Sequence, residues 1–287
     1  MPSLIDIRRR IRSVKNTQQI TKAMKMVSAA RLRRAQERVL ASRPYAAMLR
    51  EMLTNVAAAA ASDERVAGHP LLAQRPEKRI QLILVTADRG LAGAYNTNLI
   101  KGAQQFVLEH PDSKVEMELV GRKGRDFFRK REALVSGEYV GNTEKVTYGD
   151  AKGLAQKVMK RFADEEIDSV WLIFNEFKSV IAQRLIVTRV LPMALPQTGA
   201  PTTEYIFEQP PLQLLESLLP RYIEIEIYRS LLESAAAQNA ARMTAMESAT
   251  SNAGDMIDRL TLYMNRVRQA SITREIIEVV SGASALE

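Results

Sequence analysis

Residues 212–286 read LQLLESLLPRYIEIEIYRSLLESAAAQNAARMTAMESATSNAGDMIDRLTLYMNRVRQASITREIIEVVSGASAL, and this stretch decides the fold. A 3.5-residue repeat runs through Ile225, Tyr228, Leu232, Ala235, Asn239, Arg242, Met246, Ala249, Ala253, Met256, Leu260, Tyr263, Val267, Ala270, Arg274 and Ile277. Thirteen of these sixteen are apolar, which is the seam of a coiled coil rather than the broader stripe of a globular helix. No proline follows Pro220, and Gly254 is a single weak point costing ~1 kcal/mol against alanine. At a rise of ~1.5 Å per residue the stretch predicts a helix of about 110 Å. Such a helix needs a second long helix beside it.

The opposite end of the chain supplies one. From Ser3 to Ala61 there is no glycine, and only Pro44 interrupts. The same spacing picks out Leu4, Ile7, Ile11 and Val14, then the polar Gln18, Thr21, Lys25 and Ser28, then Leu32, Ala35 and Val39. In the polar middle, apolar residues move to Ile20, Ala23, Met24 and Val27. The reading is a helix whose apolar contact rotates there, with Ser3 as its cap and a kink near Pro44. The two ends are expected to form a long antiparallel coiled coil, residues 1–61 against 212–287. Its longer C-terminal helix ends in the apolar stretch Ile276 to Ala283.

Between the helices the period changes. Strands are predicted at Ile80–Thr86, Val115–Val120, Leu134–Val140, 170–177 and 182–191, and helices at Asn98–Glu109, Lys123–Arg131 and Ala151–Ala163. Alternating, largely apolar strands mean a sheet covered on both faces, and the short gap between the last two makes them an antiparallel hairpin. Residues 77–209 therefore form an inserted Rossmann-like α/β domain. Pro192 to Pro211 is a proline-rich connector.

Composition narrows the chemistry. There is no cysteine, so thiol catalysis, thiolate metal sites and disulfides are excluded. The two histidines, His69 and His110, read as solvated. No run reaches the ~18 apolar residues of a membrane span, and the first residues do not resemble a secretory signal. The excess positive charge lies in residues 1–50, where 13 Lys/Arg face only Asp6 and Glu37. Its arginines, Arg8, Arg9, Arg10, Arg12, Arg31, Arg33 and Arg34, lack interleaved aromatics, since the first aromatic is Tyr45. Nucleic acid is therefore a poorer target than an acidic protein surface.

No motif carries catalysis. Gly90-Leu91-Ala92-Gly93 follows the first strand, where a phosphate loop would lie, but matches neither dinucleotide nor P-loop spacing. Gly121-Arg122-Lys123-Gly124-Arg125 begins a helix and reads as a basic loop before it reads as an anion site. Asp164, Glu165, Glu166 and Asp168 read as a solvated cluster, not a metal or acid–base site. The run Arg266 to Glu275 is either partner-facing or an exposed helix face with local ion pairs, and pattern alone leaves both open.

Ile272-Thr273-Arg274-Glu275-Ile276-Ile277-Glu278 with Gly282-Ala283-Ser284-Ala285 resembles the C-terminal signature of the F-type ATP synthase γ subunit family. Ile20 to Val27, Asp88-Arg89-Gly90-Leu91 and Ala240 to Met246 are similar to the same family. The resemblance covers the whole chain. It implies a non-catalytic central rotor shaft that turns inside a hexamer of α and β subunits. The α/β domain sits at its foot beside the ε subunit and the membrane c ring, coupling ion flow to ATP synthesis. It implies β-subunit contacts through Met24, Lys25, Arg268, Gln269, Thr273 and Glu275, and c-ring contacts through Tyr205 and Glu208. It also implies no catalytic residue, cofactor, metal or small-molecule ligand, no nucleic-acid partner, and a peripheral place on the cytoplasmic face of the bacterial inner membrane. The competing reading is a Rossmann-like nucleotide-binding enzyme with helical arms.

Overall fold

The computed structural model describes residues 3–59, 69–131, 133–141, 143–193 and 208–284. The elements in chain order are α1 (Leu4–Ala59), a 3-10 turn (Pro70–Leu72), β1 (Arg79–Val85), α2 (Tyr95–Glu109), β2 (Lys114–Val120), α3 (Arg122–Arg129), β3 (Val135–Tyr139), α4 (Tyr148–Ala163), β4 (Ser169–Phe177), β5 (Gln183–Leu191) and α5 (Pro211–Ser284). The chain divides into two compact units, Met1–Ser28 with Met243–Glu287, and Ala29–Arg242.

In the first unit, α1 and α5 run antiparallel. Gln18 Nε2 donates to the Thr250 carbonyl (3.4 Å), the Thr21 and Thr250 hydroxyls meet at 2.7 Å, and Lys25 Nζ reaches Glu247 Oε1 at 2.6 Å. Partner positions fall as α1 positions rise, which fixes the direction. The α1 seam keeps the strict repeat: Leu4, Ile7, Ile11, Val14, Gln18, Thr21, Lys25 and Ser28 are the shielded positions. The expected rotation onto Ile20, Ala23, Met24 and Val27 is not seen as a face: Met24 is half-buried beside the seam, but Ala23 is exposed and Ile20 and Val27 are 60% and 51% exposed. Polar partners on α5 hold the seam in place where apolar ones are missing. On α5 the shielded row is Met246, Thr250, Ala253, Ile257, Leu260, Met264, Val267 and Ser271. Met256 and Tyr263, expected in the seam, are exposed. Each neighbours the residue one step on that faces the partner.

The second unit holds a five-stranded sheet in the order β3-β2-β1-β4-β5. The first four strands are parallel and β5 is antiparallel to β4, forming the expected edge hairpin. Ile80, Leu82, Ile83 and Leu84 have no exposed surface, as a doubly covered central strand requires. α4 starts three residues earlier than the periodicity indicates. Its capping box sets the start: Asp150 N donates to Thr147 Oγ1 and Thr147 N to Asp150 Oδ2 (2.9 Å).

The parts of α1 and α5 in this unit pack on the sheet domain. Residues 230–240 of α5 are buried on every side. A one-sided seam does not account for that; the helix is enclosed. Tyr95 Oη donates to the Ser234 carbonyl (3.3 Å), Phe177 N to Glu233 Oε2 (3.1 Å), and Gln238 Nε2 to the Thr143 carbonyl (3.4 Å). Serine and alanine dominate the stretch because backbones close in from several directions. α1 continues through Pro44 without a break. Position 44 is exposed, so water can reach the Leu40 carbonyl that the proline leaves without an N–H donor.

Candidate functional site

The residues expected to meet partners fall into two sets. On α5, Arg268, Gln269, Thr273 and Glu275 are all exposed. Arg268 and Glu275, seven apart, share a row beside the seam; Gln269 and Thr273, four apart, form the next row. Glu275 Oε1 accepts from Ser271 Oγ at 3.3 Å. This is a polar strip on an otherwise exposed helix, beyond which Ile276, Ile277, Val279 and Val280 are 56–72% exposed. On α1, Met24 and Lys25 are half-buried, and Lys25 is tied to Glu247. Glu208 is exposed just before α5, whereas Tyr205 lies outside the described residues.

Arg8, Arg9, Arg10 and Arg12 point to solvent, but Arg31 does not belong with them. It pairs with Glu144, which also binds Arg242 Nη1 at 2.9 Å. Arg242 is 5% exposed and holds the Gly90 carbonyl (3.4 Å) and Asn239 Oδ1 (3.3 Å) as well. A seam position that reads as a polar exception is thus the centre of a buried network.

The two glycine-containing loops at the carboxyl edge of the sheet are occupied by the chain itself. At the start of α3, Arg122 N donates to Asp88 Oδ1 (3.1 Å), Lys123 N to the Ala87 carbonyl (3.1 Å), and Gly124 N to Thr86 Oγ1 (2.9 Å). The Asp88 carboxylate also accepts from Gly141 N (3.0 Å), Thr143 N (3.1 Å) and Thr143 Oγ1 (2.8 Å). The amides that would cradle a phosphate are all satisfied internally, Arg122 N by the Asp88 carboxylate and the other two by the Ala87 carbonyl and the Thr86 hydroxyl. Burial alone would raise the Asp88 pKa; the hydrogen bonds from Gly141, Thr143 and Arg122 outweigh it and hold the carboxyl below its ordinary range. Gly121 is required here: its φ is +97°, and a Cβ would stand 2.3 Å from the Thr86 carbonyl oxygen. In the sequence Asp88 stands out only as the first residue of the segment Asp88-Arg89-Gly90-Leu91 that is similar to the family. The available signal was an aspartate after a strand, with loops containing Gly121 and Gly141 to follow.

The acidic cluster is not simply solvated. Asp168 is 4% exposed and grips Arg79 through two bonds (2.7 and 3.3 Å) while accepting from Arg79 N (2.8 Å) and Lys78 N (3.2 Å). These bonds, with the Arg79 guanidinium first among them, hold its pKa low. Glu165 pairs with Arg75 and Glu166 with Arg161. Among the described residues no acidic or histidine group is arranged to hold a metal. The histidines also differ from expectation. His69 Nδ1 accepts from Leu71 N (3.2 Å), and burial lowers its pKa. His110 Nδ1 lies 2.8 Å from the Phe106 carbonyl, and its ring stacks on Phe106.

A sequence model described as ATP synthase matches residues 3–286. The chain is 65% identical, over the full length of both proteins, to the ATP synthase gamma chain of Solibacter usitatus. It is 50% identical, again over both full lengths, to the ATP synthase gamma chain of Pelotomaculum thermopropionicum. Among solved structures it is similar in fold to a chain of the Euglena gracilis mitochondrial ATP synthase. There the TM-score is 0.67 at 18% identity, covering 99% of this chain and 94% of that one.

Proposed function

The chain belongs to the ATP synthase γ-chain family, and on that premise we propose how its surfaces divide the work of a rotor. It is the non-catalytic central shaft of an F-type ATP synthase, carrying rotation between the membrane c ring and the α/β hexamer. Its partners are the α and β subunits, the ε subunit and the c ring. Residues 1–61 and 212–287 act as the shaft, and residues 77–209 as the domain at its foot. Met24, Lys25, Arg268, Gln269, Thr273 and Glu275 touch β subunits. Tyr205 and Glu208 meet the c ring. No helix among the described residues is long and apolar enough to cross a membrane. On this reading the protein reaches the membrane through its complex, on the cytoplasmic face of the bacterial inner membrane.

One observation carries the mechanical reading: the chain ends lie antiparallel, with Thr21 on Thr250 and Lys25 on Glu247. A single helix twists and bends easily, whereas a paired one resists through every seam contact. Rotation then presents different faces to each surrounding subunit in turn, linking shaft angle to affinity at distant sites. The polar strip from Arg268 to Glu275 makes directional contacts that favour particular angles. The apolar surface beyond it makes non-directional ones that favour none. The nucleotide-enzyme alternative meets its anion position already filled by Asp88.

The test is an internal crosslink. A Thr21→Cys/Thr250→Cys variant, reconstituted with α and β subunits and oxidised, should keep full ATP-driven rotation, because a shaft turns without its helices separating. Arrest on oxidation, reversed by reduction, would show that the helices must part and would remove the rigid-shaft reading.

A further inference from the structure

The second unit contains a cleft of about 720 Å³ lined by five cationic residues: Arg31, Arg34 and Arg38 from α1, Arg89 from the β1–α2 loop, and Lys145 from the loop before α4. Asp88 and Glu144 also line it, but both are committed. Asp88 accepts four hydrogen bonds, and Glu144 is shared by Arg31 and Arg242. Arg38 bonds only neutral acceptors, the Val146 carbonyl and Tyr228 Oη. Arg34, Arg89 and Lys145 are exposed. The cleft therefore holds more positive charge than its own carboxylates neutralise.

Its position adds to this. Asp88 and Arg89 follow β1, and Gly141 to Lys145 follow β3, so the cleft opens at the carboxyl edge of the parallel strands. β1 lies between β2 and β4 in the sheet, the place where a doubly wound topology reverses and ligands are ordinarily received. The volume falls within the range of small-ligand sites. Among the described residues that line it none is aromatic, so a base would find no aromatic ring to stack on.

We propose that this cleft binds a compact, multiply charged phosphate anion of the inorganic pyrophosphate or triphosphate class. Guanidinium forks and one ammonium match phosphate oxygens, and cations gathered around one cleft suit a dense anion better than an extended acidic polypeptide. The site is distinct from the α3 start, which Asp88 fills, and does not depend on the rotor assignment.

Calorimetric titration of the purified full-length chain with inorganic triphosphate at low ionic strength tests it. The expected result is saturable one-to-one binding that weakens as salt rises. Affinity should fall roughly tenfold for each of Arg34→Ala and Arg89→Ala, and stay unchanged in an Arg8→Ala/Arg9→Ala/Arg10→Ala control. ATP should bind no tighter than triphosphate. Unchanged circular dichroism separates a lost site from a lost fold. The proposal is overturned by absence of saturation at millimolar triphosphate, by an equal loss in the control, by much tighter binding of ATP, or by a glutamate decapeptide that outcompetes triphosphate.

Discussion

Thr21 and Thr250 bring their hydroxyl oxygens to 2.7 Å across the paired helices, at the centre of a seam that is apolar toward the start of α1. Each hydroxyl also has a carbonyl of its own helix within reach, Met246 for Thr250 (2.7 Å) and Gln18 for Thr21 (3.0 Å), so either can be the donor across the seam. One turn further along α5, a Cβ added at Gly254 would sit 3.3 Å from Gln18 Nε2. That atom is the mobile end of a side chain and can yield. Gly254→Ala should therefore leave thermal stability unchanged or raise it by up to ~1 kcal/mol through helix propensity. Gly254→Leu should lower it by about 1–3 kcal/mol by forcing the helices apart. A lower melting temperature for the alanine variant, measured by circular dichroism, would show that close backbone approach matters more than propensity here.

Asp88 joins three loops that follow different strands, so its loss should be felt by the whole carboxyl edge of the sheet. Asp88→Asn retains the shape but turns an amide N–H₂ toward donors, at a cost of about 2–3 kcal/mol. The sign of the pH dependence follows from the depressed pKa. The stabilisation is fully present above the ordinary carboxylate pKa and is lost as pH falls through the lower, folded-state value. Denaturant titrations should thus show a wild-type advantage that is constant near neutrality and shrinks under acid. A gap that widened with acid would mean that Asp88 is protonated in the native protein.

Arg268 and Gln269 lie exposed on α5, and neither position is shielded by the seam. Arg268→Ala and Gln269→Ala should therefore leave the melting temperature of the isolated chain within the small range of surface substitutions, about 0.5 kcal/mol. In the reconstituted complex each should lower ATP synthesis driven by ion flow. Unfolding of the isolated variants would make these residues structural and withdraw them from the β-subunit contact.

The architecture was legible because it rests on periodicity. The α1 row from Leu4 to Val39 and the five strands all occur where the pattern placed them, within a few residues. Where hydrogen bonds hold the seam, apolar residues do not mark it. Ile20 and Val27 looked like a shifted face, yet Gln18, Thr21 and Lys25 find polar partners 222–232 positions away. Met256 and Ile257 illustrate a second ambiguity. Two heptad rows share Met246, Ala253, Leu260 and Val267, and only the partner's side decides between their alternate positions. Asp88 was illegible for a topological reason: its partners lie 34 to 55 residues away and meet it only through the order of the strands. The α5 residues proposed to touch partners rest on resemblance alone, since exposure and local charge look the same on any solvated helix.

Two ion pairs give a direct comparison of burial. Lys25–Glu247 is 2.6 Å long with side chains 37% and 58% exposed, while Arg242–Glu144 is 2.9 Å with 6% and 19%. Distance alone would rank the first as stronger. In water, however, the first competes with hydration and side-chain entropy and should contribute no more than ~1 kcal/mol. Arg242 also satisfies the Gly90 carbonyl and Asn239. Removing it leaves Glu144 half-paired in a shielded site. Arg242→Ala should therefore cost about 3–5 kcal/mol, against at most ~1 for Lys25→Ala. Arg242→Lys should recover only part of the loss, because an ammonium cannot span the same three acceptors in a plane. Equal destabilisation by the two alanine substitutions in chemical denaturation would mean that the buried network is solvated after all, and that the enclosure of α5 around Asn239 is looser than its burial indicates.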